Sequence, residues 1–345
     1  MTGGKRKRLL RSRVGIYGAV ALIGVVAAFW YASIFTRPPA QPPEALETVR
    51  IGAVQYLASC PVVMAQANHY FENEGIAAVI NFEANGSVAL RGALDGRSDL
   101  VTVADLPVAL AAASGRQVAV VATMATTEDH AVVARRDRGI DSPDKLKGKR
   151  VGVSLGTTTE FYLAAFLNRW QLSPTDVVTA DLTPTQLREG IARGDLDAVV
   201  LYQPFLNASL EALGPKVVAF SPEGLYYLSW NLAGLREYVN AHPRTVEKIL
   251  RATIRGVKAC TESPDAARAV LARMLDLPAG ILRDLWPLYR FDVSLRQSLL
   301  LTLEDEGRWA VRNKVTADAK LPNYLDNLSL EPLQSVAPSA VTVFH

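Results

Sequence analysis

Cysteine and histidine are scarce in this chain of 345 residues, which has two cysteines and four histidines. Two cysteines cannot build a disulfide framework. None of the histidines stands beside cysteine or carboxylate residues at the spacing of metal ligands, so we expect no metal site. Cys60 and Cys260 are expected to be free thiols, although an oxidising compartment would permit a disulfide bond between them.

The common sequence motifs of catalysis and nucleotide binding are also missing. The chain has no Walker loop, no Gly-x-Ser-x-Gly elbow and no Gly-x-Gly-x-x-Gly turn. We therefore expect a protein that is not an enzyme and that holds no cofactor.

Positive charge is concentrated at the N-terminus. Residues 1–37 contain seven basic and no acidic residues, which leaves 30 basic and 34 acidic residues in the rest of the chain. A mildly acidic body gives no reason to expect nucleic-acid binding.

The N-terminal segment has the pattern of a membrane anchor. A basic segment (residues 1–13), predicted to be cytoplasmic, precedes 22 uncharged residues (14–35), which are enough to span a bilayer as a helix. Basic residues before the span place the remainder of the chain on the periplasmic side of the inner membrane. A cleaved signal peptide is the alternative. Residues 36–47 are rich in proline and predict an extended linker.

One short unit occurs twice in the body. The first copy begins at Leu90 and leads through strand 100–104 to Pro107, and the second begins at Leu187 and leads through strand 198–201 to Pro204. Each copy predicts a helix, a glycine stop, a strand and a new helix with proline in its first turn. Two like units about a hundred residues apart predict two similar α/β lobes with a cleft between them.

Alternating strands and helices favour largely parallel sheets covered on both faces. We predict a first lobe of residues 48–127 plus 228–325 and a second lobe of residues 128–227. The chain would cross between them near 125–131 and 222–228, which would form a hinge. From Pro243 onward the pattern is helical, and the chain beyond Leu321, including a tail of residues 326–345, is expected to be loosely ordered.

Ligands of open α/β sheets bind at the turns that follow the carboxyl ends of the strands. These turns carry hydroxyl, amide and aromatic groups and few charges, which suits a small organic ligand. The candidate ligand-binding residues are Gln55, Tyr56, Ser59, Asn85, Ser87, Asp105, Thr126, Gly156, Thr157, Thr158, Thr159, Glu160, Tyr202 and Gln203.

The turn at 156–160 is the most specific of these. Its glycine and threonines offer a helix N-terminus and hydroxyls to an anionic oxygen group. The plainer interpretation is a capping box, in which Thr157 and Glu160 only cap the helix. Plainer interpretations also hold for Tyr56 and Tyr202 as core residues and for Asp105 as an N-cap.

Several segments occur in an order that resembles a known family. They are Ile51-Gly52, Tyr70 to Gly75, the two Leu-x-x-Gly-x-x-Asp units, Asp144 to Val153 and Gly156-Thr157-Thr158. Together they resemble the periplasmic solute-binding components of nitrate, sulfonate and taurine ABC importers, and also their pyrimidine-precursor-binding relatives. The resemblance covers roughly residues 48–312.

This resemblance implies a two-lobed type II periplasmic binding-protein fold that captures a solute by hinge closure. It further implies delivery of the solute to a permease and an ATPase, with a site drawn from Tyr56, Ser87, Asp105, Thr157, Thr158 and Tyr202. Two alternatives stay open. One is an enzyme on the same fold, such as a pyrimidine-precursor synthase or a menaquinone-pathway dehydratase, and the other is a membrane-tethered ligand sensor.

Overall fold

The computed structural model describes residues 45–316 and 320–344. The predicted basic segment, anchor and most of the linker (residues 1–44) lie outside the described residues. Across the described ranges, none of the helices combines the length and the apolar character that a bilayer span requires.

Two sheets organise the described chain. Its strands are β1 (Glu47–Val54), β2 (Ile76–Glu83), β3 (Leu100–Ala104), β4 (Val118–Thr127), β5 (His130–Arg135), β6 (Arg150–Val153), β7 (Val178–Asp181), β8 (Ala198–Tyr202), β9 (Val217–Phe220), β10 (Leu228–Leu235), β11 (Tyr289–Arg296) and β12 (Val341–Thr342). Within these residues the first sheet has the order β12-β11-β4-β10-β3-β1-β2, and the second has the order β7-β6-β8-β5-β9.

The helices cover the sheets and connect their strands. They are α1 (Cys60–Ala67), α2 (Tyr70–Asn73), α3 (Gly86–Leu94), α4 (Asp105–Ala113), α5 (Thr158–Arg169), α6 (Pro184–Arg193), α7 (Phe205–Leu213), α8 (Arg236–Ala241), α9 (Pro243–Glu262), α10 (Pro264–Leu275), α11 (Ala279–Leu285), α12 (Gln297–Asn313) and α13 (Glu331–Val336).

Both sheets are mixed, so the prediction of largely parallel sheets is only partly right. Strand β1 pairs in parallel with β2 and β3, and β6 pairs in parallel with β7 and β8. Strand β10, however, runs antiparallel to β3 and β4, and β5 runs antiparallel to β8 and β9. Strands β5 and β10 follow the passages of the chain between the sheets, which reverse its direction.

The duplicated unit is present in the structure as a pair of equivalent hydrogen-bond arrangements. The carboxylate of Asp99 accepts a hydrogen bond from the backbone N–H of Arg50 at 2.7 Å, and that of Asp197 accepts one from Arg150 at 2.8 Å. In each copy the aspartate just before the strand therefore fixes the neighbouring parallel strand. Since the two arrangements have the same design, the repeat read from the sequence is a repeat in three dimensions.

Three expectations about local structure are wrong. The single helix expected from Cys60 to Gly75 is broken at His69, whose φ of 56° is left-handed and cannot continue a right-handed helix. Strand β11 lies in a region expected to be helical. The segment after Leu321 is packed against the first sheet: Tyr324 and Leu333 are fully buried, and β12 pairs with β11.

The two cysteines form a disulfide bond, which corrects the expectation of free thiols. Cys60 and Cys260 join α1 to α9 across 200 residues of sequence. These helices pack closely, because a Cβ on Gly256 would lie 1.9 Å from the carbonyl oxygen of Pro61. Glycine at this position lets the backbones approach and brings the two sulfur atoms within bonding distance.

Candidate functional site

The described chain passes between the two sheets twice. Residues 128–129 lead from β4 of the first sheet to β5 of the second, and residues 221–227 return from β9 to β10. These two segments, the first and second crossovers, lie where the crossings were expected. Each of them contributes side chains to a buried polar cluster.

The first polar cluster consists of Tyr56, Asp129, His130 and Tyr289 and is called the Asp129 cluster. The Oδ2 atom of Asp129 accepts hydrogen bonds from the hydroxyls of Tyr56 at 2.5 Å and Tyr289 at 2.8 Å. Its Oδ1 atom lies 2.9 Å from Nδ1 of His130 but makes no well-aligned hydrogen bond with it. One carboxylate on the crossover therefore holds together groups from the turn after β1, from β5 and from β11.

The Asp129 carboxylate is kept ionised by its neighbours. Burial alone would raise its pKa, but the contact with His130 and the two tyrosine hydroxyls outweigh burial and lower the pKa below 3.8. Burial and the charge of Asp129 raise the pKa values of Tyr56 and Tyr289 well above 10.0. Both hydroxyls therefore stay protonated and donate to Asp129.

Aromatic rings surround this cluster on both sheets. The ring of Tyr56 meets Trp230 edge to face at a centroid distance of 4.9 Å on the first sheet. On the second, the His130 ring lies 5.5 Å from Tyr162 and 5.7 Å from Tyr202. Such contacts fix the orientation of the rings, so the cluster presents ordered aromatic faces from both sheets.

The turn before α5 is mostly engaged with itself. Thr157 caps the helix by accepting from the N–H of Thr159 at 3.3 Å, and Glu160 accepts from the N–H of Gly156 at 2.6 Å. Thr157 is therefore the N-cap of α5, as the capping interpretation has it, but Glu160 holds the N–H of Gly156 rather than that of the cap, so the reciprocal half of the capping box is not formed. Thr158 differs, because its hydroxyl lies 3.4 Å from Nε2 of His130 and so joins this turn to the Asp129 cluster.

The second polar cluster, called the Glu306 cluster, consists of Asp105, Tyr226, Ser229 and Glu306. The hydroxyl of Tyr226, on the second crossover, donates to Asp105 at 2.5 Å and lies 3.1 Å from Oε1 of Glu306. Asp105 also accepts from the N–H and the hydroxyl of Ser229. Asp105 is fully buried, faces this cluster and is not the N-cap of α4, which is Ala104. The N-cap interpretation of Asp105 is therefore wrong, and its carboxylate is satisfied by groups of the protein.

The fourteen predicted site residues thus fall into three groups. Tyr56, Thr158 and Tyr202 lie at the Asp129 cluster. Asp105 and the capping residues of the 156–160 turn serve the protein itself. The remaining six are placed as follows: Gln55 donates to the carbonyl of Met274, Ser59 accepts from the Trp230 indole, Asn85 caps α3, Gln203 donates to Asn207, Ser87 is exposed, and Thr126 is half-buried on β4.

Sequence reasoning missed Asp129, His130 and Tyr289, three of the four members of the Asp129 cluster. For Asp129 and His130, a usable signal was that an aspartate and a histidine stand side by side within the predicted crossing at 125–131. For Tyr289 the signal was the alternation of apolar residues in Tyr-Arg-Phe-Asp-Val-Ser-Leu, which is typical of a strand and positions Tyr289 on β11. Its contact with Asp129, 160 residues away, needed the tertiary structure.

A surface recess of about 310 Å³ lies elsewhere, between α8 and the C-terminal segment. Its lining includes Arg236, Asn240 and Glu331 and none of the residues of the Asp129 cluster. The recess has no aromatic lining residue and no pair of sheets converging on it. The Asp129 cluster is therefore the stronger candidate for a ligand site.

A family model and several known proteins match this chain. The family model described as "NMT1/THI5 like" matches residues 58–267. The taurine-binding periplasmic protein of Escherichia coli strain K12 is 25% identical over 251 residues, which cover 68% of this chain and 75% of that protein. The riboflavin-binding protein RibY of Chloroflexus aurantiacus is 25% identical over 234 residues, which cover 67% of this chain and 66% of RibY.

Among solved structures, the periplasmic aliphatic sulphonate-binding protein SsuA of Escherichia coli superimposes with a TM-score of 0.72 at 19% identity. The superposition covers 81% of this chain and 97% of SsuA. This likeness establishes the α/β fold of periplasmic binding proteins. The named relatives are binding proteins rather than enzymes, in agreement with the expectation from the sequence, and the enzyme alternative is not favoured.

Proposed function

Because this chain belongs to the NMT1/THI5-like family, we propose that it is the substrate-binding component of an ABC importer. It captures a small organic solute between its two sheets and delivers it to a permease driven by an ATPase. The named relatives bind taurine, sulfonates and riboflavin, which are small organic molecules.

The observation that carries this proposal is the position of the Asp129 cluster. Tyr56 and Tyr289 come from the first sheet, Thr158 and Tyr202 come from the second, and Asp129 lies on the crossover that joins them. A solute held here touches both sheets only when they are together. Such a solute shifts the population toward the closed state, which is how binding would be signalled to a permease.

We also propose that residues 14–35 anchor the protein to the inner membrane with its body in the periplasm. The uncharged run and the basic residues before it support this orientation. The Cys60–Cys260 disulfide is independent support for export, because structural disulfides persist in oxidising compartments. Domain boundaries at 48–127 plus 228–325 and 128–227 follow from the same proposal.

The function is tested by identifying what the protein carries. The full-length chain is purified from its native membrane and denatured, and the released small molecules are identified by mass spectrometry. Adding that molecule back at a hundred times its Kd should stabilise the protein by about 2.7 kcal/mol. This corresponds to a rise in Tm of about 5 to 10 °C. A protein that releases no small molecule and copurifies with no permease would contradict the proposal.

The anchor is tested by N-terminal sequencing and extraction of native membranes. An uncleaved chain should begin at its first residues and resist extraction with alkaline carbonate. A chain that begins after residue 35 and extracts freely would contradict the anchor while leaving the binding function intact.

A further inference from the structure

The surface recess beside α8 lies between two parts of the chain that are joined by hydrogen bonds. α8 and the start of β4 form one wall, and residues 325–334 form the other. The side chain of Asn327 donates to the carbonyl of Val118 at 2.8 Å, and the N–H of Ser329 donates to the carbonyl of Val120 at 2.9 Å. Because both bonds tie the C-terminal wall to β4, the recess is a built feature of the fold.

Arg236, the first residue of α8, brings a guanidinium group to this recess. Its Nε atom is enclosed and has no hydrogen-bond partner among the described residues. Within that part of the chain, no carboxylate oxygen lies within 4.0 Å of the guanidinium nitrogens, although Asp326 and Glu331 line the same recess. Since enclosed polar groups are nearly always hydrogen-bonded, the Nε–H of Arg236 is an available donor for an acceptor from outside the chain.

Other half-buried arginines of this protein are paired with a carboxylate. A guanidinium nitrogen of Arg50 lies 2.6 Å from Asp99, and one of Arg135 lies 2.6 Å from Asp137. In both pairs the attraction between the charges offsets the cost of removing the guanidinium from water. Arg236 lacks this compensation, so its charge does not fasten the fold. Its planar group can instead bind a carboxylate of a ligand through two parallel hydrogen bonds.

The two carboxylates of the recess set the other half of its chemistry. The carboxylate of Asp326 accepts from the side-chain amide of Asn323 at 3.2 Å, and both Asp326 and Glu331 are exposed. A simple anion bound to Arg236 would lie near these negative charges, whereas a molecule that also carries an ammonium group would be attracted by them. The volume of about 310 Å³ is at the small end of the range of about 300 to 1,000 Å³ for ligand pockets. The recess therefore suits a small molecule with both charges.

We infer that this recess is a second ligand site and that it binds a small amino acid or another amino carboxylate. The carboxylate of the ligand accepts hydrogen bonds from Nε and a terminal nitrogen of Arg236, and its ammonium group lies toward Asp326 and Glu331. The inference goes beyond the proposed function and does not depend on it, because none of the described lining residues belongs to the Asp129 cluster or the Glu306 cluster.

The test compares compounds that carry both charges with compounds that carry one. Glycine, β-alanine and 4-aminobutanoate carry both and differ in the spacing of the two groups, whereas acetate has only the carboxylate and ethylamine only the ammonium group. Calorimetry on the full-length chain measures binding, and hydrogen exchange of residues 236–241 and 325–334 shows where a compound binds. At least one amino carboxylate should bind at least about tenfold more tightly than acetate and ethylamine, a difference of about 1.4 kcal/mol. It should also slow the exchange of both segments.

Three variants locate the binding. Arg236→Gln removes the fork of donors and should weaken binding at least about tenfold. Arg236→Lys keeps the charge but not the two parallel donors, and Glu331→Gln leaves Asp326 in place, so each should weaken binding about fivefold. The matched control is Arg244→Gln, which changes an exposed arginine on α9 outside the recess and should leave binding unchanged.

The stability of the ligand-free chain separates a binding role of Arg236 from a structural one. Because Arg236 has no partner among the described residues, Arg236→Gln should leave Tm unchanged or slightly raise it. Arg50→Gln breaks the ion pair with Asp99 and should lower Tm by about 2 °C or more. If Arg236→Gln lowers Tm as much as Arg50→Gln does, Arg236 fastens the fold and the inference is wrong.

The remaining outcomes are equally decisive. Acetate that binds as tightly as every amino carboxylate would overturn the ligand class. An amino carboxylate whose binding survives Arg236→Gln, or leaves the exchange of both segments unchanged, binds elsewhere and overturns the assignment to the recess. Failure of all five compounds to bind overturns the inference as well. None of these results decides the proposed function, which depends on the molecule released from the native protein.

Discussion

Both crossovers are held by hydrogen bonds between tyrosine and carboxylate side chains, but the two differ in which of these side chains lies on the crossover. At the first, the carboxylate of Asp129 is on the crossover and its tyrosines, Tyr56 and Tyr289, belong to the first sheet. At the second, Tyr226 is on the crossover, and its carboxylates, Asp105 and Glu306, lie on helices α4 and α12. Both passages between the sheets are thus fastened by tyrosine–carboxylate hydrogen bonds.

The electrostatic outcome differs between the two clusters. At the first, one carboxylate faces two hydroxyls and a histidine, and its pKa is lowered. At the second, two carboxylates share one tyrosine, and burial together with the charge of Asp105 raises the pKa of Glu306 well above 4.5. Oε2 of Glu306 has no hydrogen-bond partner among the described residues. Asp129 is therefore ionised, whereas burial and the charge of Asp105 favour the protonated form of Glu306.

This difference assigns distinct roles to the two crossovers. At the first crossover, the ionised carboxylate joins groups that are attached to both sheets, which suits a site between them. The buried carboxyl groups of the Glu306 cluster accept hydrogen bonds from Tyr226 and Ser229 and fasten the chain. Thr158 on α5 and Tyr202 on β8 approach the first cluster, so we place the proposed ligand site at the first crossover rather than at the second.

Asp129→Asn should cause the largest loss of stability. It removes charge-assisted hydrogen bonds from a buried site, at a cost of about 2 to 3 kcal/mol in the free energy of unfolding near neutral pH. Because the folded pKa of Asp129 is lowered, its stabilisation exists above the unfolded value of 3.8 and is lost as the pH falls through the folded pKa. Urea unfolding of the wild type and of Asp129→Asn at acid and at neutral pH measures this stabilisation. If the two proteins differ in stability at acid pH as much as at neutral pH, Asp129 is not ionised in the folded protein.

Glu306→Gln should change the free energy of unfolding by a smaller amount, and it should stabilise the protein rather than destabilise it. The raised folded pKa of Glu306 means that stability is full below 4.5 and declines as the pH rises toward the folded pKa. Glutamine keeps an acceptor for Tyr226 and adds N–H donors beside Asp105, so we expect a gain of about 1 kcal/mol at mildly alkaline pH and none at acid pH. Asp305 on the same helix and Tyr324 also act on this group, and neither changes in the variant.

The check is the slope of unfolding free energy against pH. The slope between acid and mildly alkaline pH should be flatter in Glu306→Gln than in the wild type. The control is Glu304→Gln, which is on the same helix and removes the charge of a residue that ion-pairs with Arg308, and its slope should equal that of the wild type. Equal slopes in all three proteins would mean that Glu306 is not held as a neutral acid.

Glu128→Gln should have the smallest effect, and it probes the contact between the crossovers. The carboxylate of Glu128 accepts from the N–H of Gly224 at 2.7 Å on an exposed face. An exposed contact of this kind contributes about 0.5 kcal/mol, and glutamine retains the acceptor. We expect a change in stability within about 0.5 kcal/mol and unchanged ligand affinity. A tenfold change in affinity would mean that the crossovers are coupled through this contact.

Local patterns predicted much of the fold. The repeated unit, the positions of both crossings and nearly all strands before Pro243 depend on alternation, glycine stops and helix caps, which act over a few residues. The region after Pro243 was harder, because β11 interrupts a helical stretch and gains its stability from pairing with β4. The C-terminal segment likewise owes its order to burial of Tyr324 and Leu333 against distant elements.

The candidate site was predicted only in part for the same reason. Tyr56, Thr158 and Tyr202 were found because strand ends are recognisable in sequence. Asp129 and Tyr289 were not, because their role comes from a contact across 160 residues. Glu160 could be assigned only once its carboxylate was seen on the N–H of Gly156.

The sequence by itself determined the duplicated α/β architecture, the family resemblance and the charge asymmetry of the N-terminus, since each is a matter of residue order and composition. The tertiary structure decided the disulfide, the mixed sheets and the direction of the hydrogen bonds at Asp129. Those properties arise when distant segments meet in a buried setting, where one carboxylate can orient every donor around it.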